Sequence, residues 1–264
     1  MSEPNEQGGK SPLYNQSIEK GFTVLGLFNA SRSELSLSEI SRLAGWNMGS
    51  AQRITYTLEK LGYLYKNPQN RKYRVAIHSL SLGYTYLESN LLIDCANPLL
   101  SELSNHCEES VSLTEPCGLE MVYVARFPSR RYIPIHMPIG SRVPMYCTAA
   151  GRAYLSVLPT EEIERHIERS DLRTHTPRTL AEPSALVSLI EGFRRTGLSY
   201  NDEEYYLGDI NIGAPVLNSQ GRAVAAIHVT APSSRWTLDD AMARLGPPLV
   251  DCARAVTKAA RTLA

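Results

Sequence analysis

No stretch of this 264-residue chain is apolar for long enough to cross a membrane. Nothing near its start has the charged lead and short apolar run of a secretory signal. These two absences point to a cytoplasmic protein with no membrane partner. A disulfide framework is missing as well. The five cysteines (Cys95, Cys107, Cys117, Cys147 and Cys252) are odd in number, widely spaced and never in a C-x-x-C pair. That is the usage of a reducing compartment, and it offers no structural zinc site. Net charge is also lacking, because 27 Lys and Arg balance 27 Asp and Glu. There is no G-x-S-x-G elbow, no P-loop and no set of metal ligands at a recognisable spacing. The expectation is a protein without metal or cofactor that is not an enzyme.

The balanced charge conceals an asymmetry. Residues 1–80 hold ten Lys and Arg against six Glu, so this part carries +4 and the remainder −4. A basic front on an acidic body suggests a nucleic-acid-binding N-terminal domain. The polar opening MSEPNEQGGKSP reads as a disordered tail. In NQSIEKGFTVLGLFNA, residues Ile18, Phe22, Leu25 and Phe28 recur at helical spacing, with Ser17 as a candidate N-cap. In ELSLSEISRLAGW, Ser36 or Ser38 can cap a short helix that buries Ile40, Leu43 and Ala44 and stops at Gly45. NMGSAQRITYTLEKLGYL then starts at a cap-like Asn47 or Ser50 and stops at Gly62. Helix, glycine-containing turn, helix is the helix-turn-helix layout. A strand at 63–65 and the turn KNPQNRKYRV make a hairpin with basic residues at its tip, a wing. From Asn47 to Val75 six basic residues face Glu59 alone, the kind of patch that phosphate neutralisation needs. Ser50, Gln52, Arg53 and Tyr56 are the candidate readers on the second helix; Arg71, Lys72 and Arg74 are the candidate wing contacts. The bland alternative is a winged protein-interaction module with a solvated charged face.

Leu80, Tyr84, Leu87 and Leu91 predict a connecting helix over 77–90. A second helix over 93–107 places Pro98 near its start. The apolar stripe of the connecting helix suits a partner chain, since helix-turn-helix proteins read two half-sites by two-fold symmetry. Beyond it, strand-like runs flank a turn at Pro116–Gly118, and RRYIPIHM at 130–137 is another strand candidate. MPIGSRVPM reads as a loop. Helices are expected over 148–158, 161–169 and 183–196, and strands near 198–201, 210–217 and 222–230. A last helix from about 238 is interrupted at Gly246–Pro248. The fold class is α+β with an antiparallel-rich C-terminal domain.

One strand, AAIHVTAP, carries an oddity. Ala225, Ile227 and Val229 share one face; Ala226, His228 and Thr230 share the other. That second face either meets water or lines a pocket. Cys147, just before a helix start, is the candidate nucleophile for an enzymatic alternative, with His136 or His228 as base. A lone cysteine in apolar surroundings is usually packing, and a small-molecule pocket beside a DNA-binding domain needs no chemistry.

The segments QSIEKGFTVLGLF, LEKLGYLYKNPQNRKYRV, GSRVPMYCTAAGRAYLSVLP, GLSYNDEEYYLGDINIGAPV and GRAVAAIHVTAP together resemble the IclR family of bacterial transcription regulators. The likeness runs from about Asn15 to Ala264. It implies a winged helix-turn-helix over 15–76 after a tail over 1–14, a linker helix over 77–92, and a GAF/PAS-like α/β effector domain over 93–264. It also implies homodimers, often paired into tetramers, on palindromic double-stranded DNA. SIEKGFTVL, SLGYTYLES, ESVSL, VYVARFPSRR and PIGSRVPMYCTAAGR are most similar to regulators of aromatic-acid catabolism that respond to protocatechuate, 4-hydroxybenzoate or β-ketoadipate.

Carried over by motif, the effector pocket takes Tyr132, Ile135 and Val143 from a strand and loop, and Met145, Thr148, Ala149 and Ala150 from a helix start. Asn201, Asn211, His228 and Thr230 complete it. The family often has Asp, Cys or Ser, and Ser at the positions of Asn201, Asn211 and His228. A histidine in place of the small hydroxyl argues against a glyoxylate- or pyruvate-type effector. An aromatic carboxylate wants an apolar slot and donors, for which Thr148, backbone N–H groups, Arg130 or Arg131, and a protonated His228 are the candidates. Arg130 and Arg131 are expected at the surface. Effector binding would shift the linker helices and alter half-site spacing or contact with RNA polymerase. The rival reading is a non-aromatic effector.

Overall fold

The computed structural model describes residues 11–131 and 137–261. The chain divides into two compact units, Met1–Tyr86 and Leu87–Ala264.

The first unit holds three helices, α1 (Gln16–Gly26), α2 (Leu37–Ala44) and α3 (Met48–Lys60), followed by a hairpin of β1 (Leu64–Lys66) and β2 (Tyr73–Val75). Local chemistry accounts for each boundary. The Ser36 hydroxyl accepts from the Glu39 backbone and the Glu39 carboxylate accepts from the Ser36 backbone, a reciprocal cap. Gly45 ends α2 at φ 68°, a conformation that glycine adopts without a Cβ clash. Asn47 caps α3 by accepting from the Ser50 N–H. The start of α1 differs from expectation: Asn15, not Ser17, is the N-cap, and the Ser17 N–H is one of the donors it accepts from. Val24, Leu35, Ile40, Ala51, Leu58, Leu64 and Tyr73 form the core. Ile18 and Phe22 lie outside it, 59% and 62% exposed.

The helix expected over 77–90 is a 3-10 turn (Ile77–Ser79) and then α4 (Leu80–Ser89), in which no residue is buried. Asn90 caps the next helix, α5 (Leu91–Cys107), by accepting from the Leu92 N–H. This earlier start puts Pro98 inside the helix rather than near its beginning, where the ring forfeits one backbone hydrogen bond.

The second unit is built on a six-stranded antiparallel sheet. Its strands are β3 (Ser110–Cys117), β4 (Glu120–Phe127), β5 (Arg142–Pro144), β6 (Ser199–Asp202), β7 (Asp209–Leu217) and β8 (Ala223–Pro232), in the spatial order β5-β4-β3-β8-β7-β6. Strand β5 lies where a loop was expected. Val143 pairs with Met121, so backbone bonds to β4 overrule the flanking proline and glycine. The candidate strand at 130–137 falls largely on residues outside the described ones. Helices α6 (Ala149–Leu155), α7 (Thr160–Arg169), α8 (Pro183–Thr196), α9 (Leu238–Arg244) and α10 (Gly246–Arg261) complete the unit.

The sheet separates two cores. On one side Ala225, Ile227, Val229 and Ala231 of β8 pack with Leu100 and Leu103 of α5 and Leu249 and Val256 of α10. On the other, Ala226 joins Met121, Val143 and Met145, with Ile163 of α7 and Ile190 of α8. Period-two alternation along β8 assigns its residues to these two sides. Helix α6 lies close against the sheet. A Cβ on Gly213 of β7 would come within 2.7 Å of the Ala149 carbonyl oxygen, and one on Gly151 within 2.2 Å of the Met145 Cα. Only glycine allows this approach, and it brings the start of α6 over the strands that carry the polar residues.

Candidate functional site

In the first unit, Gln52 and Tyr56 lie one turn apart on the exposed side of α3, and Ser50 is half-buried at its first turn. Lys60 places its ammonium 5.5 Å from the centre of the Tyr56 ring. Arg53 is exposed but faces the flank of α3 towards α1, where it borders a groove with Ile18, Phe22 and Leu82. In the hairpin, Tyr65 and Arg74 are cross-strand partners, and the guanidinium rests 4.9 Å from the ring centre. Arg71 adopts φ 58° at the turn and is exposed; Lys72 is half-buried. The hairpin thus presents ordered cations away from the core that Leu64 and Tyr73 fill.

In the second unit, a narrow cleft open to solvent lies between the sheet and the start of α6. Of the residues expected there, Val143, Thr148, Ala149, Ala150, Asn201, Asn211, His228 and Thr230 all line it. Met145 is fully buried behind the wall, in the core beside Val143. Tyr132 and Ile135 lie outside the described residues. Arg126, Tyr123, Met137, Tyr205, Tyr206 and Asp209 line the cleft without having been singled out from the sequence.

Sheet register explains the grouping. Arg126, Ser112, His228 and Gly213 form one row across β4, β3, β8 and β7. Thr230, Asn211 and Asn201 form the next row on β8, β7 and β6. A bulge at Leu113/Thr114 leaves Val124 without a register partner on β4, so Tyr123 and Arg126, three residues apart, share one face. The Tyr123 hydroxyl lies 3.1 Å from His228 Nε2, and the Thr230 hydroxyl donates to Asn211 Oδ1 at 2.5 Å. His228 Nδ1, Asn201 Oδ1 and Ser112 Oγ are buried without a hydrogen-bond partner.

Electrostatics correct one expectation. Burial, with a further push from the nearby Arg126 guanidinium, lowers the His228 pKa to about 3. The imidazole is neutral at physiological pH, so it is not a cationic donor. Arg130 and Arg131 are exposed, and Arg131 pairs with Glu108 at 2.6 Å. Among the described residues lining the cleft the cation is therefore Arg126, and its guanidinium sits 5.8 Å from the Tyr123 ring centre. Burial raises Tyr123 to about 12 and the Asp209 carboxyl to about 6, each opposed by Arg126. Thr148 caps α6 by accepting from the Gly151 N–H and donates to the Pro144 carbonyl at 2.6 Å.

Beneath the cleft Arg152 is fully buried and grips Glu204 through two bonds of 2.5 and 2.7 Å. It also donates to the carbonyls of Tyr146 and Tyr200, while Leu180 N–H donates to Glu204. This network anchors the segment that carries Tyr205 and Tyr206. Cys147 is fully buried, and desolvation pushes its thiol up to about 12, the reverse of the lowering that a nucleophile needs. No group of three or more metal-binding side chains and no helix long and apolar enough to cross a membrane occurs among the described residues.

Comparison with known proteins places both units. Residues 17–68 match the IclR helix-turn-helix domain, and residues 84–258 match the bacterial transcriptional regulator IclR C-terminal domain. The Pca regulon regulatory protein of Pseudomonas putida is 29% identical over 244 residues, covering 92% of this chain and 83% of that protein. A solved structure from Rhodococcus sp. RHA1, assigned as a transcriptional regulator, is 31% identical with a TM-score of 0.81 and covers 95% of this chain and 100% of its own. An IclR homologue from Microbacterium hydrocarbonoxydans, solved with 4-hydroxybenzoate, has a TM-score of 0.77 at 21% identity, covering 93% of this chain and 99% of its own, and shows the common fold. The chain belongs to the IclR family of bacterial transcriptional regulators and is not an enzyme.

Proposed function

We propose that this regulator reads a palindromic operator with α3 and the hairpin, and that the cleft of the second unit binds an aromatic carboxylate controlling a catabolic operon. The observation that carries the effector reading is the composition of the cleft. One guanidinium, Arg126, stands among three tyrosine rings, Met137 and Val143. A flat apolar body with one carboxylate matches that combination. Similarity to the Pca regulon regulatory protein supports a catabolic operon. The protein works in the cytoplasm, where its operator is.

Dimerisation accounts for the exposed apolar residues of the first unit. Ile18, Phe22, Leu61 and Leu82 border one groove, each 51% exposed or more. A second copy covers such a face in a homodimer or a dimer of dimers. Effector binding biases two arrangements of the dimer and thereby half-site spacing or contact with RNA polymerase.

A thermal-shift screen of aromatic and aliphatic acids tests the effector. Aromatic monocarboxylates should raise the melting temperature, and Arg126→Ala should abolish the rise. A rise produced by aliphatic acids alone would remove the aromatic assignment. In a mobility shift on DNA from the neighbourhood of its own gene, Arg74→Ala should weaken binding at every sequence. Undiminished binding would take the hairpin out of the interface.

A further inference from the structure

We infer that the cleft selects an organic acid with a single negative charge and a neutral hydrogen-bonding group, a hydroxyl above all, at its far end, and that it rejects dicarboxylates. This narrows the acid-binding reading of the same cleft and rests on it.

The argument starts from the distribution of charge. Among the described residues lining the cleft, Arg126 is the one cation and Asp209 the one anion. The remaining polar side chains of that lining are the hydroxyls of three tyrosines, Thr148 and Thr230, the amides of Asn201 and Asn211, and the His228 imidazole, all neutral. His228 cannot supply a second positive charge, because burial keeps it unprotonated far below neutral pH. One carboxylate of a ligand can face Arg126. A second would meet no further cation among the described lining residues, in a cleft that also holds the Asp209 carboxyl. Burying an unpaired charge is far more costly than burying a paired one, and like charges add repulsion.

The neutral wall nevertheless asks for a polar partner. Asn201 and His228 are 2% and 3% exposed, and each has a side-chain atom with no hydrogen bond, Oδ1 and Nδ1 respectively. Ser112 Oγ, which shares the His228 row, is in the same condition. Buried polar atoms are rarely left so. A hydroxyl both donates and accepts, so it serves either orientation of the Asn201 amide and either tautomer of His228. A methyl or a bare ring edge serves neither.

The test is calorimetric titration of the full-length protein with acids of matched length. 4-Hydroxybenzoate is compared with terephthalate and with benzoate, and 6-hydroxyhexanoate is compared with adipate. The expected result is that the hydroxy acid of at least one pair binds about tenfold or more tightly than its dicarboxylate. Benzoate should fall below 4-hydroxybenzoate by a similar factor. In Asp209→Asn, checked for an unchanged cooperative melt, the dicarboxylate should gain on its hydroxy partner. Selection within the aliphatic pair alone would remove the aromatic assignment while upholding the selection rule. Dicarboxylates that equal their hydroxy partners in both pairs overturn the inference, as does binding of none of these acids. Equal affinities for benzoate and 4-hydroxybenzoate overturn the hydroxyl requirement.

Discussion

Along β8, Ile227 and Val229 face α5 and α10, while His228 and Thr230 face α6 and the cleft. The first pair sits in close-packed hydrocarbon. The second sits among side chains whose hydrogen bonds are incomplete. Both are buried, so burial alone does not separate a structural face from a functional one. What separates them is whether the chain itself satisfies the buried atoms. On the α5 side the apolar contacts close among themselves. On the cleft side the protein leaves polar atoms for something else to meet, and keeps the wall in place with the Arg152–Glu204 pair beneath it.

The largest test of that contrast is acid. The folded state holds the His228 pKa near 3 against an ordinary 6.5, so it resists a proton that the unfolded chain accepts. This contribution is intact above pH 6.5 and declines as pH falls, by on the order of 4 kcal/mol at pH 3. Asp209 pulls the other way. Its folded pKa is raised from 3.8 to about 6, so its contribution favours the fold at low pH and is lost as pH rises through 6. Denaturant unfolding across this range should give a shallower acid decline in His228→Asn than in the parent. Parallel curves would assign the acid sensitivity to another group.

Next comes the anchor. Arg152→Met should strand the buried Glu204 carboxylate and cost about 3–5 kcal/mol in denaturant unfolding. A loss below about 1 kcal/mol would mean that water reaches Glu204 and that the network does not fix the segment.

The smallest test is the most direct comparison of the two faces. Ile227→Ala should cost about 2–5 kcal/mol, because it opens a cavity in a closed core. His228→Ser, one residue away, should cost less and should alter the acid response with operator binding unchanged. Equal destabilisation with an unaltered acid response would return His228 to ordinary core.

The sequence was informative where the physics is local. Period-two alternation put His228 and Thr230 on one face, and Ser36, Gly45 and Asn47 are residues whose preferred conformations end or begin helices. Arg126 was not legible. Simple alternation puts residues 123 and 126 on opposite faces, and only the bulge at Val124 brings them together. Tyr205, Tyr206 and Asp209 were missed for a different reason. They stand at the β6–β7 connection, whose position depends on a buried ion pair between residues 52 apart in the chain. Neither a bulge nor a distant ion pair leaves a periodic trace in composition. The candidate cations Arg130 and Arg131, by contrast, belong to a recognisable basic cluster that stays in solvent.

Gly213 sets how closely the helix approaches the sheet at the cleft. With no Cβ there, the start of α6 rests almost on the backbone of β7, while Gly151 lets the helix close on the backbone of Met145. A single methyl group at 213 would act as a shim, prying the helix from the sheet by a fraction of an ångström or more. Under the proposed effector reading, a planar molecule suits a cleft roofed so closely better than a bulky tetrahedral one does.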